Sequence, residues 1–211
     1  MSSGQTLTFG TDGSCLRNPD GPTGWAYICD DGTFTFGGRP SGTNQIGELM
    51  AILTVLRHHP DSHLEIQSDS AYAIGCSSTW KTGWQRAGYV RKTGPIANLD
   101  IIIQIHDLLD HRAGTVTFVK VKAHLRDESV HPLNVRADDL AGRGARAAQS
   151  ARREVEESGV WPAGTGAPAP IATRADDHPA DARPAVTRAA TVRRPPSVRD
   201  EAAQQETGFL F

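Results

Sequence analysis

Hydrophobic spacing in this chain changes period near Thr43, and that change restricts the folds open to it. Before Thr43, Leu7 and Phe9 alternate with polar neighbours in "TLTFGTDGSC", and "GWAYIC" and "GTFTFGG" repeat the pattern on either side of the turn residues "DDG". A two-residue period is that of half-buried strands, and short turn links between them predict an antiparallel meander. After it, Leu49, Ile52, Val55 and Leu56 recur at helical spacing, with Thr43 or Asn44 as the N-cap. "LEIQS", Leu64 to Ser68, returns to alternation and a helix begins near Ser70. That β-α-β step requires at least one parallel strand pair. An irregular stretch rich in Trp, Gly and bases follows ("STWKTGWQRAGYVRKTGP"), then a helix "NLDIIIQIHDLLDH", a strand "TVTFVKV" and a last helix "PLNVRADDLAGRGARAAQS". The fold class is α/β, a five-stranded mixed sheet flanked by helices.

Composition divides the 211 residues into a body and a tail. Residues 1–150 hold most of the Ile, Leu, Phe and Trp, enough for one core. Residues 151–203, with "GAPAPIATRADDHPADARPAVTRAATVRRPPS", have too little apolar content to offset chain entropy and read as a disordered Ala/Pro/Arg-rich linker. The three cysteines, Cys15, Cys29 and Cys76, form no CxxC pair and fit a reducing compartment, here the cytoplasm. No apolar run has membrane-spanning length. A net charge of −2 leaves any polyanion partner to local patches rather than to a global field.

Four acids stand out by placement. Asp12 and Asp69 sit at strand ends, Glu48 on the core-side face of the first long helix, and Asp138 in the last helix. Each has an ordinary alternative: a turn with Gly13 for Asp12, a helix cap for Asp69, a half-exposed flank for Glu48, a solvated face for Asp138 or Asp139. Converging in a desolvated site, they would repel one another unless cations neutralised them, and hard Mg²⁺ prefers such all-oxygen ligands.

Together "TDGSCLRNPDGPTGWA", "TNQIGELMAI", "IQSDSAYAI", "VKAH" and "NVRADDLA" resemble the successive motifs of type I ribonuclease H, of the bacterial kind, over Leu7 to Ala148. The resemblance implies a ribonuclease H-like fold and an Asp-Glu-Asp-Asp set, Asp12, Glu48, Asp69 and Asp138, holding two Mg²⁺ for which Mn²⁺ can substitute. It implies hydrolysis of the RNA strand of an RNA/DNA hybrid, leaving 5′-phosphate and 3′-hydroxyl ends, by a monomeric enzyme active around DNA replication. The other reading is a noncatalytic hybrid-binding or fork-recruitment module on the same fold. His124 in "VKAHLRDESVHP" matches the family's proton-transfer histidine, although the loop is longer than usual, Ala123 replaces a glycine, and His131 is a second candidate.

By the same resemblance Gly13, Ser14, Cys15, Asn18, Asn44 and Gln45 would contact the hybrid, and Thr43 a phosphate of the DNA strand. Gln45 and Gly47 depart from the residues usual there. Trp80 and Trp84, with only Lys81, Arg86, Arg91 and Lys92 around them, would form a weakly charged protrusion over the substrate groove, or Trp80 would serve the core. The chain closes on "QQETGFLF"; Phe209, Leu210 and Phe211, within residues 204–211, resemble peptides that dock in the bacterial sliding clamp, and their alternative is an incidental apolar end.

Overall fold

The computed structural model describes residues 5–122 and 131–162. The elements run β1 (Thr6–Cys15), β2 (Gly21–Cys29), β3 (Thr33–Gly42), α1 (Asn44–His58), β4 (His63–Ser68), α2 (Ala71–Ile74), α3 (Lys81–Arg86), α4 (Leu99–His111), β5 (Val116–Lys120), α5 (Pro132–Ala151) and β6 (Val155–Val160). They build one mixed sheet of order β5-β4-β1-β2-β3-β6. β1 lies inside it, antiparallel to β2 and parallel to β4, which is in turn parallel to β5. The meander and the parallel step read from the sequence are both present.

Period-2 alternation divides the core between the two faces. Along β2, Tyr27 and Cys29 join Phe9, Leu64 and Ile66 beneath α1 and α4, whose Leu49, Ile52, Leu56, Ile102 and Ile105 are fully buried. Ala26 and Ile28 turn the other way, onto Phe34, Phe36 and the Ala137, Leu140 and Ala141 face of α5. Burying each such large side chain contributes about 1.5–3 kcal/mol, so these two clusters hold the helices on the sheet. Of the two N-cap candidates for α1, Thr43 does the work: its Oγ1 accepts from the Ile46 amide at 3.2 Å. Among the described residues no helix is long and apolar enough to cross a membrane.

The sheet has six strands where five are expected. The additional strand, β6, lies in the stretch that the composition assigns to a linker, and pairs antiparallel with β3 from Thr33↔Val160 to Gly38↔Val155. Its sequence, "VEESGV", is too short and acidic to register as a strand by apolar count. It is fixed from outside itself: Ser158 Oγ lies 2.8 Å from Thr35 Oγ1, and Trp161 packs edge-on against Phe34 with the Arg136 guanidinium 5.3 Å above its ring. The stretch read as irregular after Cys76 is helical in its first part, a π-helical turn (Gly75–Thr79) and then α3, and is without helix or strand over 87–98.

α5 approaches the sheet more closely than side chains would permit. A Cβ on Gly24 of β2 would stand 2.0 Å from the Ala141 carbonyl oxygen and 2.4 Å from the Ala145 nitrogen, both backbone atoms that cannot step aside. Gly24→Ala should therefore lower Tm by on the order of 5–10 °C, the effect of about 2–3 kcal/mol of overpacking in a domain of this size. Gly83→Ala, where no atom lies within 4 Å, should leave Tm unchanged or slightly raised. Equal melting of the Gly24 variant and the parent would show that α5 is not seated on β2 backbone.

Candidate active site

Strand register brings the first two acids together. Thr11 of β1 pairs with Ser68 of β4 in the parallel ladder, so the residues that follow them, Asp12 and Asp69, emerge side by side. Asp69 is not spent as a cap: Ser70 caps α2, its Oγ accepting from the Ala73 amide at 3.2 Å. The Asp69 carboxylate is thus left for the cavity. Asp12 is only partly engaged, one oxygen accepting the Gly13 amide at 2.7 Å.

Glu48 reaches the same place because the first turn of α1 rests directly on the sheet. A Cβ on Gly13 would lie 2.2 Å from the Glu48 nitrogen, and one on Gly47 would lie 2.5 Å from the Gly24 carbonyl oxygen. At both positions the atoms a Cβ would meet are backbone, so in this chain the close approach uses glycine twice. Asp12 and Glu48 end up 6% exposed each. One carboxylate oxygen from each of Asp12, Glu48 and Asp69 lies within 4.8 Å of the others. Asp138, brought by α5, is more exposed and lines the same cavity of about 390 Å³, together with Gly13, Ser14, Cys15, Asn44 and Ser70.

The electrostatics follow from this crowding. Burial raises the Asp12 pKa well above the ordinary carboxylate range, and the charges of Glu48, Asp69 and Asp138 raise it further. Burial, then Asp69, pushes Glu48 up to about 8, against the opposing pull of the Asn44 amide and Lys120. Asn44 Nδ2 donates to Glu48 Oε1 at 3.3 Å, whereas Glu48 Oε2 is buried with no hydrogen-bond partner among the described residues. An orphaned buried oxygen beside two further carboxylates is a donor set that suits a hard divalent cation, which would satisfy the oxygen and relieve the repulsion.

The remaining sequence candidates separate into groups. Asn18 stays near the site, its Oδ1 accepting from the Asn44 amide at 3.2 Å. Gln45 is exposed and does not line the cavity, and the Thr43 hydroxyl is occupied in capping. Trp80 is not a core residue: it is 41% exposed, clusters with Trp84 and Tyr72, and lines a second cavity of about 220 Å³. His131 stands at the N-cap position of α5. His124, Phe209, Leu210 and Phe211 lie outside the described residues. Two residues beside the acids escaped the sequence reading, Ser70 and Lys120; a signal for Lys120 was available, since it ends a strand paired with the one leading to Asp69.

The raised Glu48 pKa has a sign that can be measured. The folded state holds this proton more tightly than the unfolded chain, whose Glu titrates near 4.3, so ionisation costs nothing below about pH 4 and its full cost is present above about pH 8. In chelator-treated protein Glu48→Gln should match the parent near pH 4 and exceed it by on the order of 4–5 kcal/mol at pH 8, read from urea midpoints. A divalent cation should close that gap by stabilising the parent. A difference that did not grow with pH would contradict the buried, repelled state of Glu48.

The comparisons with known proteins agree with this arrangement. The pattern that defines the RNase H family matches residues 4–146. Ribonuclease H of Tropheryma whipplei (strain Twist) is 38% identical over 138 residues, 64% of this chain and 81% of that protein. Ribonuclease HI of Streptomyces coelicolor is 37% identical over 141 residues, 64% of this chain and 57% of that protein. Among solved structures, the crystal structure of LC9-RNase H1, a type 1 RNase H with the type 2 active-site motif, is similar with a TM-score of 0.58 and 22% identity, covering 67% of this chain and 72% of that one. With the family pattern spanning the strands and helices that carry all four acids, the chain belongs to the RNase H family.

Proposed function

We propose that this chain is a metal-dependent endoribonuclease that hydrolyses the RNA strand of RNA/DNA hybrids, leaving 5′-phosphate and 3′-hydroxyl ends. The observation that carries the reading is the convergence of Asp12, Glu48 and Asp69 within 4.8 Å, two of them buried and one with an unsatisfied oxygen. A module that only bound a polyanion would gain nothing from concentrating negative charge there. Asp12, Glu48, Asp69 and Asp138 would hold two Mg²⁺, or Mn²⁺ in their place. Bound there, the ions would supply the charge that activates a water and stabilises the departing 3′-oxygen.

The chain's own groups do the rest. Asn44 orients Glu48 through its amide and is itself held by Asn18, so two residues named for hybrid contact also brace an acid. Gly13, Ser14, Cys15 and Asn44, which line the acid cavity, and the exposed Gln45 are assigned to reading 2′-hydroxyls, which distinguish RNA from DNA. Trp80 and Trp84 offer ring surface beyond the acids. His124 is assigned the transfer of a proton near neutrality. We place the enzyme in the cytoplasm as a monomer, tethered to the sliding clamp at replication forks by Phe209, Leu210 and Phe211.

Cleavage of a labelled RNA/DNA hybrid in Mg²⁺, beside single-stranded RNA, duplex RNA and duplex DNA, tests the activity. The parent should cut the hybrid alone, and Asp69→Asn should lose at least about 100-fold in kcat, the scale of removing a group that stabilises transition-state charge. Because Ser70 provides the helix cap, the variant should melt no lower than the parent. Unchanged cutting by this variant would remove Asp69 from the chemistry, and no cutting by the parent in Mg²⁺ or Mn²⁺ would favour a binding module. For the tether, deletion of Gly208 to Phe211 should abolish capture by an immobilised bacterial sliding clamp; retained capture would refute it.

A further inference from the structure

Lys120 is the last residue of β5, opposite Ser68 in the parallel ladder and therefore beside the residue that carries the Asp69 carboxylate. Its ammonium does not collapse onto a carboxylate. Nζ donates instead to two backbone carbonyls, those of Asp69 and Val121 (3.0 Å), and no ion pair joins it among the described residues. Carbonyl acceptors orient a lysine without cancelling its charge, and the ammonium has three N–H bonds, so one donor remains.

The position of that charge is informative. Lys120 also lines the second cavity, with Ala71, Ile74, Gly75, Thr79 and Trp80. Asp69 and Ser70 line the acid cavity and Ala71, the next residue, lines this one, so the two openings adjoin along the chain with Lys120 at their shared margin. The second cavity is walled by an apolar floor and the exposed face of Trp80, which suits a sugar better than an ion. A strand laid with one phosphodiester over the acids would carry its neighbouring unit past the ammonium and onto Trp80.

We propose that Lys120 is a phosphate-binding residue of the substrate surface, its ammonium taking the phosphodiester next to the cleaved one while the Trp80 cavity receives the attached sugar. This rests on the hybrid-hydrolase reading above and adds a residue to it. The cation has a second use in the same place: next to a cluster of acids, a polyanion meets repulsion, and a positive charge held at the rim offsets it where the backbone crosses from one cavity to the next.

The test uses the full chain and two substitutions. Lys120→Gln removes the charge and keeps a shorter, neutral amide donor, and Lys120→Arg keeps the charge. Anisotropy of a labelled RNA/DNA hybrid is followed through a monovalent-salt series with Ca²⁺ in place of Mg²⁺, and cleavage in Mg²⁺ is measured in parallel. For Lys120→Gln, Kd and KM should rise about five- to tenfold at low salt, and the slope of log Kd against log salt should become shallower by about one. kcat should stay within about twofold, and Lys120→Arg should restore both affinity and slope. An unchanged slope, or a loss confined to kcat, would overturn the inference and leave Lys120 as a tether for Asp69. Hybrid binding with the expected change of slope but no cutting by the parent would reject the hydrolase reading and keep Lys120 only as a phosphate contact of a bound hybrid. A parent that bound no hybrid would reject both.

Discussion

Everything distinctive about this molecule depends on how closely helix backbone can lie on sheet backbone. At Gly13 and Gly47 the first turn of α1 touches β1 and β2 with no side chain between them, and at Gly24 the middle of α5 does the same from the opposite face. These contacts bring acids from a strand and two helices to one end of the sheet. With ordinary side chains in the interface, packed helices and sheets stand about 10 Å apart, and carboxylates carried on them would not converge. The cluster is therefore a result of what is missing from three positions as much as of what is present at four.

Such convergence opposes folding. Two nearly buried carboxyl groups face each other and a third, and among the described residues no basic side chain forms an ion pair with them. The apolar clusters on both faces supply the opposing stabilisation: Phe9, Leu49, Ile52 and Ile66 on one, Ile28, Phe34, Phe36 and Leu140 on the other, all essentially inaccessible to water. The geometry of the acid cluster and the stability of the fold are thus carried by the same elements, the apolar residues of α1 and β1 lying only a few positions from Glu48 and Asp12. The arrangement explains why the orphaned oxygen of Glu48 can persist without loosening the helix that bears it.

How much of this could be read in advance depended on whether the signal was local. The change of period at Thr43, the alternation of Leu64 and Ile66 and the helical spacing of Ile101, Ile102 and Ile105 are written in consecutive residues, and strands and helices form where they predict. The acids were legible as strand-end and helix-face residues. Whether Asp69 capped a helix was not, because the competing acceptor, Ser70 Oγ, becomes visible only with coordinates. β6 was missed because its affinity for the sheet comes from distant partners, Thr35, Phe34 and Arg136, and hardly from its own "VEESGV". Trp80 remained ambiguous for a related reason: residue type favours burial, whereas the π-helical turn before it leaves the ring half in solvent against Gly75.

β6 also determines which main-chain groups the sheet offers to its surroundings. Without it the rim would be β3, a ten-residue strand bearing Phe34 and Phe36, the kind of open ladder on which another polypeptide can add itself. With it, the rim is a six-residue strand carrying Glu156 and Glu157, and the opposite rim is a five-residue strand ending in Lys120. A strand arriving at either side meets a short template and a charge it would have to desolvate. Strand-by-strand growth into larger assemblies is thereby discouraged at both margins of the described sheet.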